Sequence, residues 1–125
     1  MKIIQTNNAP AAGGPYSQAI ISGSFVFCSG QIGLDPKTGE LKGADIISQT
    51  TQVIFNLSAV LEAAGSSLQN VIKTTCYLTN ISDFQKFNDI YAKHFVSNPA
   101  RATIEVSNLP KDAIVEIELV AEIVL

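Results

Sequence analysis

Residues Leu109–Glu122 read LPKDAIVEIELVAE. After the Leu-Pro-Lys-Asp turn, Val115, Ile117, Leu119, Ala121 and the following Ile123 alternate with Glu116, Glu118 and Glu122. A period of two marks a strand that turns one face to a core and the other away from it. So regular an alternation predicts a sheet whose second face carries carboxylates.

Working back along the chain, Ala102, Ile104 and Val106 alternate with Thr103, Glu105 and Ser107, directly after the helix-stopping pair Asn98 and Pro99. Val71–Thr79 reads as another strand, with Ile72, Cys76 and Leu78 on one face and Lys73, Thr75 and Thr79 on the other. Between these strands the period lengthens. Val53, Leu57, Val60, Leu61 and Ala64 fall at three- and four-residue spacing, which predicts a helix over 46–64 with Gly65 as its left-handed cap. A capping box, Ser82 with Gln85, opens a second helix whose buried stripe is Phe84, Phe87, Tyr91 and Phe95. Nearer the start, strands are expected over 2–6, 17–21 and 25–29, with a small-residue loop, Ala9–Tyr16, and a turn-rich segment from Gly30 to Gly43.

This order, three strands, helix, strand, helix, two strands, predicts a single α+β domain over 1–125: a mixed β-sheet with two helices packed on one face. The other face is left bare and mixes Thr, Ser, Glu and Tyr with apolar groups. Such a face invites self-association, so a homo-oligomer with pockets between its subunits is expected.

The chain has 125 residues, 46% hydrophobic and 15% charged, with 8 basic against 11 acidic side chains and a net charge of −3. That is enough apolar content to build a core without disulfides or metal. With a sequence pI near 4.9 and its lysines scattered, the chain lacks the basic cluster that nucleic acid or an anionic membrane surface requires. No apolar run approaches the ~18 residues of a spanning helix, and MKIIQTNNAP has no signal-peptide core, so a cytoplasmic location is expected. Cys28 and Cys76 show no CxxC spacing and read as reduced core thiols. His94 is the single histidine, so a His-based metal cage is not expected.

Few side chains are left for chemistry. Arg101, the single arginine, opens a strand just after Pro99; its planar fork suits a carboxylate, and a surface salt bridge is the other reading. Glu116 shares a strand face with Glu118 and Glu122. All three are solvated in a monomer, but one that oligomerisation covers would have a raised pKa and serve as a general base. Tyr16 sits on a glycine-rich loop, where it either anchors the loop or meets a ligand. The Gly-Gly-Pro run lacks the Gly-Lys-Ser/Thr of a phosphate loop.

Three segments together, GPYSQA at Gly14–Ala19, SGQIGLDPKTGE at Ser29–Glu40 and PARATIEVSNLPKDAIVEIE at Pro99–Glu118, closely resemble the reactive intermediate deaminase family, also called the YjgF or RidA family. The likeness covers almost the whole chain. It implies a chorismate-mutase-like fold assembled as a homotrimer with inter-subunit clefts. It also implies cofactor-free hydrolysis of 2-imino acids, formed from enamines such as 2-aminoacrylate and 2-aminocrotonate, to 2-keto acids and ammonia. Carried onto this chain, Arg101 would hold the substrate carboxylate and Glu116 would activate water. Tyr16 would order the site, Ser29 and Gly30 would shape its wall, Asn88 would support it from the second helix, and Thr103 would offer its backbone to the substrate. The chain departs from the family at Thr103, where many relatives have Cys, at Gly13, where Ile or Leu is usual, and at Gly33, where Pro is common; both glycines are expected to loosen loops beside the cleft. Two other functions stand beside this one: a regulatory module that binds a carboxylate metabolite in the same arginine-lined cleft, and, implied by activities ascribed to some relatives, a ribonuclease acting on single-stranded RNA, which the acidic balance opposes.

Overall fold

A computed structural model describes residues 1–124. Strands β1 (Lys2–Ile4), β2 (Ala19–Ser22) and β3 (Phe25–Gln31) are followed by α1 (Ile46–Ala63), β4 (Val71–Leu78), α2 (Phe84–His94), β5 (Ala100–Glu105) and β6 (Val115–Glu122). The six strands form one mixed sheet, ordered β1-β2-β3-β6-β4-β5, with both helices on one face. Only β4 and β5 are parallel, joined by the α2 crossover; every other neighbouring pair is antiparallel. The α+β architecture is the one the hydrophobic periods predict.

The core lies between sheet and helices. Val53, Ile54, Leu57, Val60 and Leu61 of α1 and Phe87 of α2 are fully buried against Val26, Cys76, Leu78, Val115 and Ile117 of the sheet. Each such side chain contributes ~1.5–3 kcal/mol. Asp45 caps α1, its carboxylate accepting from the Ser48 N–H at 2.8 Å and the Ser48 hydroxyl at 2.9 Å. Gly65, at φ +81°, ends it as expected. The opposite face of the sheet has no cover: Phe25, Phe27 and Ile104 stand exposed on it.

Several details depart from the expected pattern. A register irregularity between Val71 and Lys73 shifts the phase of β4, so Val71 faces the core and Ile72 is exposed. The capping box does not form. Instead the Asn80 side chain accepts from the N–H and hydroxyl of Ser82, starting a short 3-10 turn ahead of α2, and Gln85 bonds along the helix to Asp89. Strand β1 stops at Ile4 rather than Thr6, and β2 begins at Ala19 rather than Ser17, because buried Gln18 bonds the loop at Thr6, Ala9 and Pro10 in place of a ladder partner. Strand β3 runs past Ser29 to Gln31, with a second irregularity between Cys28 and Gln31. Strand β5 begins two residues earlier than the alternation predicts. Among the described residues, no helix is long and apolar enough to cross a membrane.

Candidate active site

Glu116 projects from β6 on the uncovered face, half-buried, opposite Tyr77 of β4. Across from it the irregularity in β3 brings the backbone of Gly30 close: a Cβ on Gly30 would lie 2.9 Å from the Glu116 carboxyl carbon. Only glycine lets the carboxylate rest there. Burial raises the pKa of Glu116 above the usual carboxylate value, and the negative charge of Glu118 raises it further. Glu118 is itself held by a short hydrogen bond from the Tyr77 hydroxyl, whose pKa is in turn pushed up to about 12.

Loops close around this carboxylate. The Ser29 hydroxyl donates to the Ser17 carbonyl at 2.6 Å, fastening the β3 irregularity to the chain that leaves Tyr16. Tyr16 is exposed; its hydroxyl accepts from the Gly13 N–H at 3.2 Å, and its own N–H donates to Gly14 at 2.8 Å. Between the Pro10–Tyr16 loop, the Gly30–Leu34 segment and Pro110–Lys111 lies a cavity of about 360 Å³ with Glu116 in its wall. A shallower depression shares Tyr16, Gly30, Pro110 and Glu116 and continues over the sheet to Ser29 and Glu118. Glu116 and Tyr16 therefore stand where two hollows meet.

Arg101 lies elsewhere. Its β5 position pairs with Thr74 of β4, which points into the helix-covered face. The guanidinium donates to the Asn88 side-chain carbonyl at 2.9 Å and stands 4.7 Å from the Tyr91 ring centre, with Phe84 and Phe87 at 5.5 and 5.9 Å. Among the described residues it has no carboxylate partner; the one salt bridge there joins Lys42 to Asp35. The salt-bridge reading of Arg101 thus gives way to an aromatic cradle with donors to spare. Thr103, two residues on, points to the same side, and its enclosed hydroxyl has no hydrogen-bond partner.

The residues named from the sequence thus divide into two groups on opposite faces of the sheet: Glu116, Tyr16, Ser29 and Gly30 on one, Arg101, Asn88 and Thr103 on the other. One copy of the chain does not bring Arg101 to Glu116. Gly33 is no loose joint, since a Cβ there would lie 2.8 Å from the Gln49 carbonyl oxygen, and its own carbonyl accepts from Lys42. His94 meets Phe55 edge-on and joins neither group. Among the described residues, no three His, Cys, Asp or Glu side chains converge as metal ligands would.

Sequence reading missed the amides that hold the loops. Gln49 and Asn56, both buried on α1, sit in the apolar stripe with Val53 and Val60. Gln49 accepts from the Ile114 N–H at 2.9 Å and donates to Gly43 at 3.0 Å; Asn56 donates to Leu34 at 2.9 Å and Ile32 at 3.3 Å. Two amides at core-facing helical positions were the available signal, because a buried amide needs a partner.

A profile of the family described as endoribonuclease L-PSP matches residues 6–123. The human 2-iminobutanoate/2-iminopropanoate deaminase is 45% identical over 96% of this chain and 88% of its own. The crystal structure of RidA from the Antarctic bacterium Psychrobacter sp. is 44% identical, with a TM-score of 0.94 over 98% of this chain and 99% of that one. That of Escherichia coli TdcF with bound serine is 41% identical, with a TM-score of 0.92 over 98% of each.

Proposed function

The chain belongs to the endoribonuclease L-PSP family, that of the reactive intermediate deaminases, and from that premise we propose that it hydrolyses reactive 2-imino acids to 2-keto acids and ammonia without a cofactor. The substrates are the imines of enamines such as 2-aminoacrylate and 2-aminocrotonate. One observation carries this reading: a guanidinium with no carboxylate partner among the described residues and a carboxylate of raised pKa occupy opposite faces of one sheet. Each group lacks what the other supplies. Two copies, docked so that the Arg101 side of one meets the Glu116 side of the next, complete a cleft, and closed repetition of that contact makes a homotrimer with three clefts. The exposed Phe25, Phe27 and Ile104 are the surface such an assembly would cover.

In that cleft Arg101, steadied by Asn88, holds the substrate carboxylate by paired hydrogen bonds. The imine carbon is already electrophilic, so orientation and a deprotonated water suffice. Glu116 takes a proton from a water as its oxygen bonds to that carbon and passes it to the imine nitrogen, giving a carbinolamine; it then takes the hydroxyl proton as the keto carbonyl forms and delivers it to the same nitrogen as the carbon–nitrogen bond breaks and ammonia leaves. Tyr16 orders the site, Ser29 and Gly30 form its wall, and Thr103 contributes its backbone, a role that does not need the thiol common in relatives. The name of the human relative and the serine in TdcF, an α-amino acid with a carboxylate beside a nitrogen-bearing carbon, support this assignment.

The test is the rate of 2-keto acid formation from freshly generated 2-iminobutanoate. The wild type is expected to accelerate it, and Arg101→Ala and Glu116→Gln to lose ~10²-fold or more while keeping the wild-type assembly. A folded wild type that binds 2-keto acids without accelerating the reaction would point to a metabolite-binding module.

A further inference from the structure

Two carboxylates share the open face of β6, two positions apart, and one tyrosine tells them apart. In the ladder Tyr77 of β4 stands directly across from Glu116, while Thr75 stands across from Glu118. Yet the Tyr77 hydroxyl donates to Glu118, the diagonal neighbour, which an aromatic side chain is long enough to reach. Glu116 leans the other way, against the backbone of Gly30 on β3. Strands β3 and β4 flank β6 on its two sides, so the glycine of one and the donor of the other part the pair. Glu118 is anchored, and Glu116 receives no hydrogen bond from the described residues.

The division matters to a base. A carboxylate that collects and delivers protons needs its oxygens free, and a standing donor on Glu116 would favour its charged form and weaken it as a base. Tyr77 gives its donor to Glu118 instead and fixes that charge two residues along the strand from Glu116. The other titratable side chains on this part of the open face are Lys73 of β4, Glu122 of β6, and Tyr16 and Lys111 from the loops. Strands β3 and β5 present no charged side chain to it, and the Cys28 and Cys76 thiols are buried in the core. Among the described residues, neither Glu116 nor Glu118 has a cation within salt-bridge distance.

Resting on the deaminase reading, we infer that Tyr77 is a positioning residue for the reaction: by anchoring Glu118 it leaves Glu116 as the one free base of the pair and keeps a fixed negative charge beside it. Tyr77 touches no reacting atom. It acts through Glu118 alone, and that route is what distinguishes it from a tyrosine that merely packs on the sheet.

The experiment compares the wild type, Tyr77→Phe, Glu118→Gln and the double variant. In each, carbon-13 NMR reads the titration midpoint of the Glu116 carboxyl, whose resonance is identified by its absence from Glu116→Gln, and the acid limb of kcat/KM is read with 2-iminobutanoate. Lys73, Glu122, Tyr16, Lys111 and the Arg101 that the next copy brings in the proposed trimer are common to all four proteins. Phe keeps the ring and loses only the donor. Glu118 then swings toward solvent and its charge weighs less on Glu116, so midpoint and limb are expected to fall. Glu118→Gln removes the charge outright and is expected to lower both by ~0.4 pH unit, the scale of one charge about 7 Å away in water; Tyr77→Phe is expected to give part of that shift. In the double variant the effect of Tyr77→Phe is expected to vanish. A midpoint that Tyr77→Phe leaves unmoved, a shift that persists on top of Glu118→Gln, or a limb that stays while the midpoint moves overturns the inference, with the deaminase reading standing. A wild type that hydrolyses no imine, its midpoints shifting as expected, overturns the deaminase reading and leaves the action of Tyr77 on the two carboxylates.

Discussion

Glu116 and Glu118 are chemically identical and two residues apart, yet only Glu116 rests against a backbone without a Cβ. Gly30→Ala is expected to push the carboxylate aside and lower deaminase kcat/KM at least ~tenfold with the fold retained; unchanged turnover would separate Gly30 from the chemistry. The pH profile gives a second check. A base with a raised pKa must lose its proton before it can work, so the acid limb of kcat/KM should lie above the usual carboxylate range. Replacing Glu118 with Gln removes the neighbouring charge, lowers the pKa of Glu116 and moves that limb to lower pH. An unmoved limb would show that Glu118 does not act on Glu116. Burial pushes the thiols up as well, Cys28 to about 12 and Cys76 to about 11. Neither should react with a thiol reagent at neutral pH until denaturant is added, and modification of the native protein would contradict their burial. Alternation alone told which face carries the glutamates. It did not tell which glutamate mattered, because that depends on a glycine some ninety residues earlier in the chain.

Among the elements, α1 does more than cover the sheet. Through Gln49 it holds the backbone N–H of Ile114, just before β6 carries Glu116 into place, and through Asn56 it holds the segment after β3. Gln49→Leu deprives the Ile114 N–H and the Gly43 carbonyl of their partner. It is expected to destabilise the fold by ~2–4 kcal/mol, read as a lower urea midpoint at fixed protein concentration, with an unaltered midpoint counting against the role. The helices and most strands were legible because their periods are strong. The two slips of register were not: reading a strand by alternation assumes an unbroken phase, and the irregularities at Val71–Lys73 and Cys28–Gln31 break it. The second of these shapes the candidate site. Asn80 likewise displaced the expected cap, since a side chain that bonds the backbone two residues on competes with a box spanning three.

For the whole molecule, the separation of Arg101 from Glu116 makes assembly and activity inseparable in the proposed trimer. Arg101→Ala and Glu116→Gln, each inactive alone, should recover activity when unfolded together in equal amounts and refolded. A cleft needs its arginine from one parent and its glutamate from the other, so a half times a half, about one quarter, of the clefts are intact. No recovery in a properly reassembled mixture would place both groups in one copy's site. The sheet order bears on how the chain is made as well. Strand β6 follows every other described element in the chain yet lies in the middle of the sheet, joining β1-β2-β3 to β4-β5. On a ribosome adding about 5–20 residues per second, the two half-sheets emerge first, with no strand to join them and their apolar edges open. The strand that ends this wait carries Glu116, so a nascent chain gains the carboxylate proposed as its general base in the same step that closes the sheet.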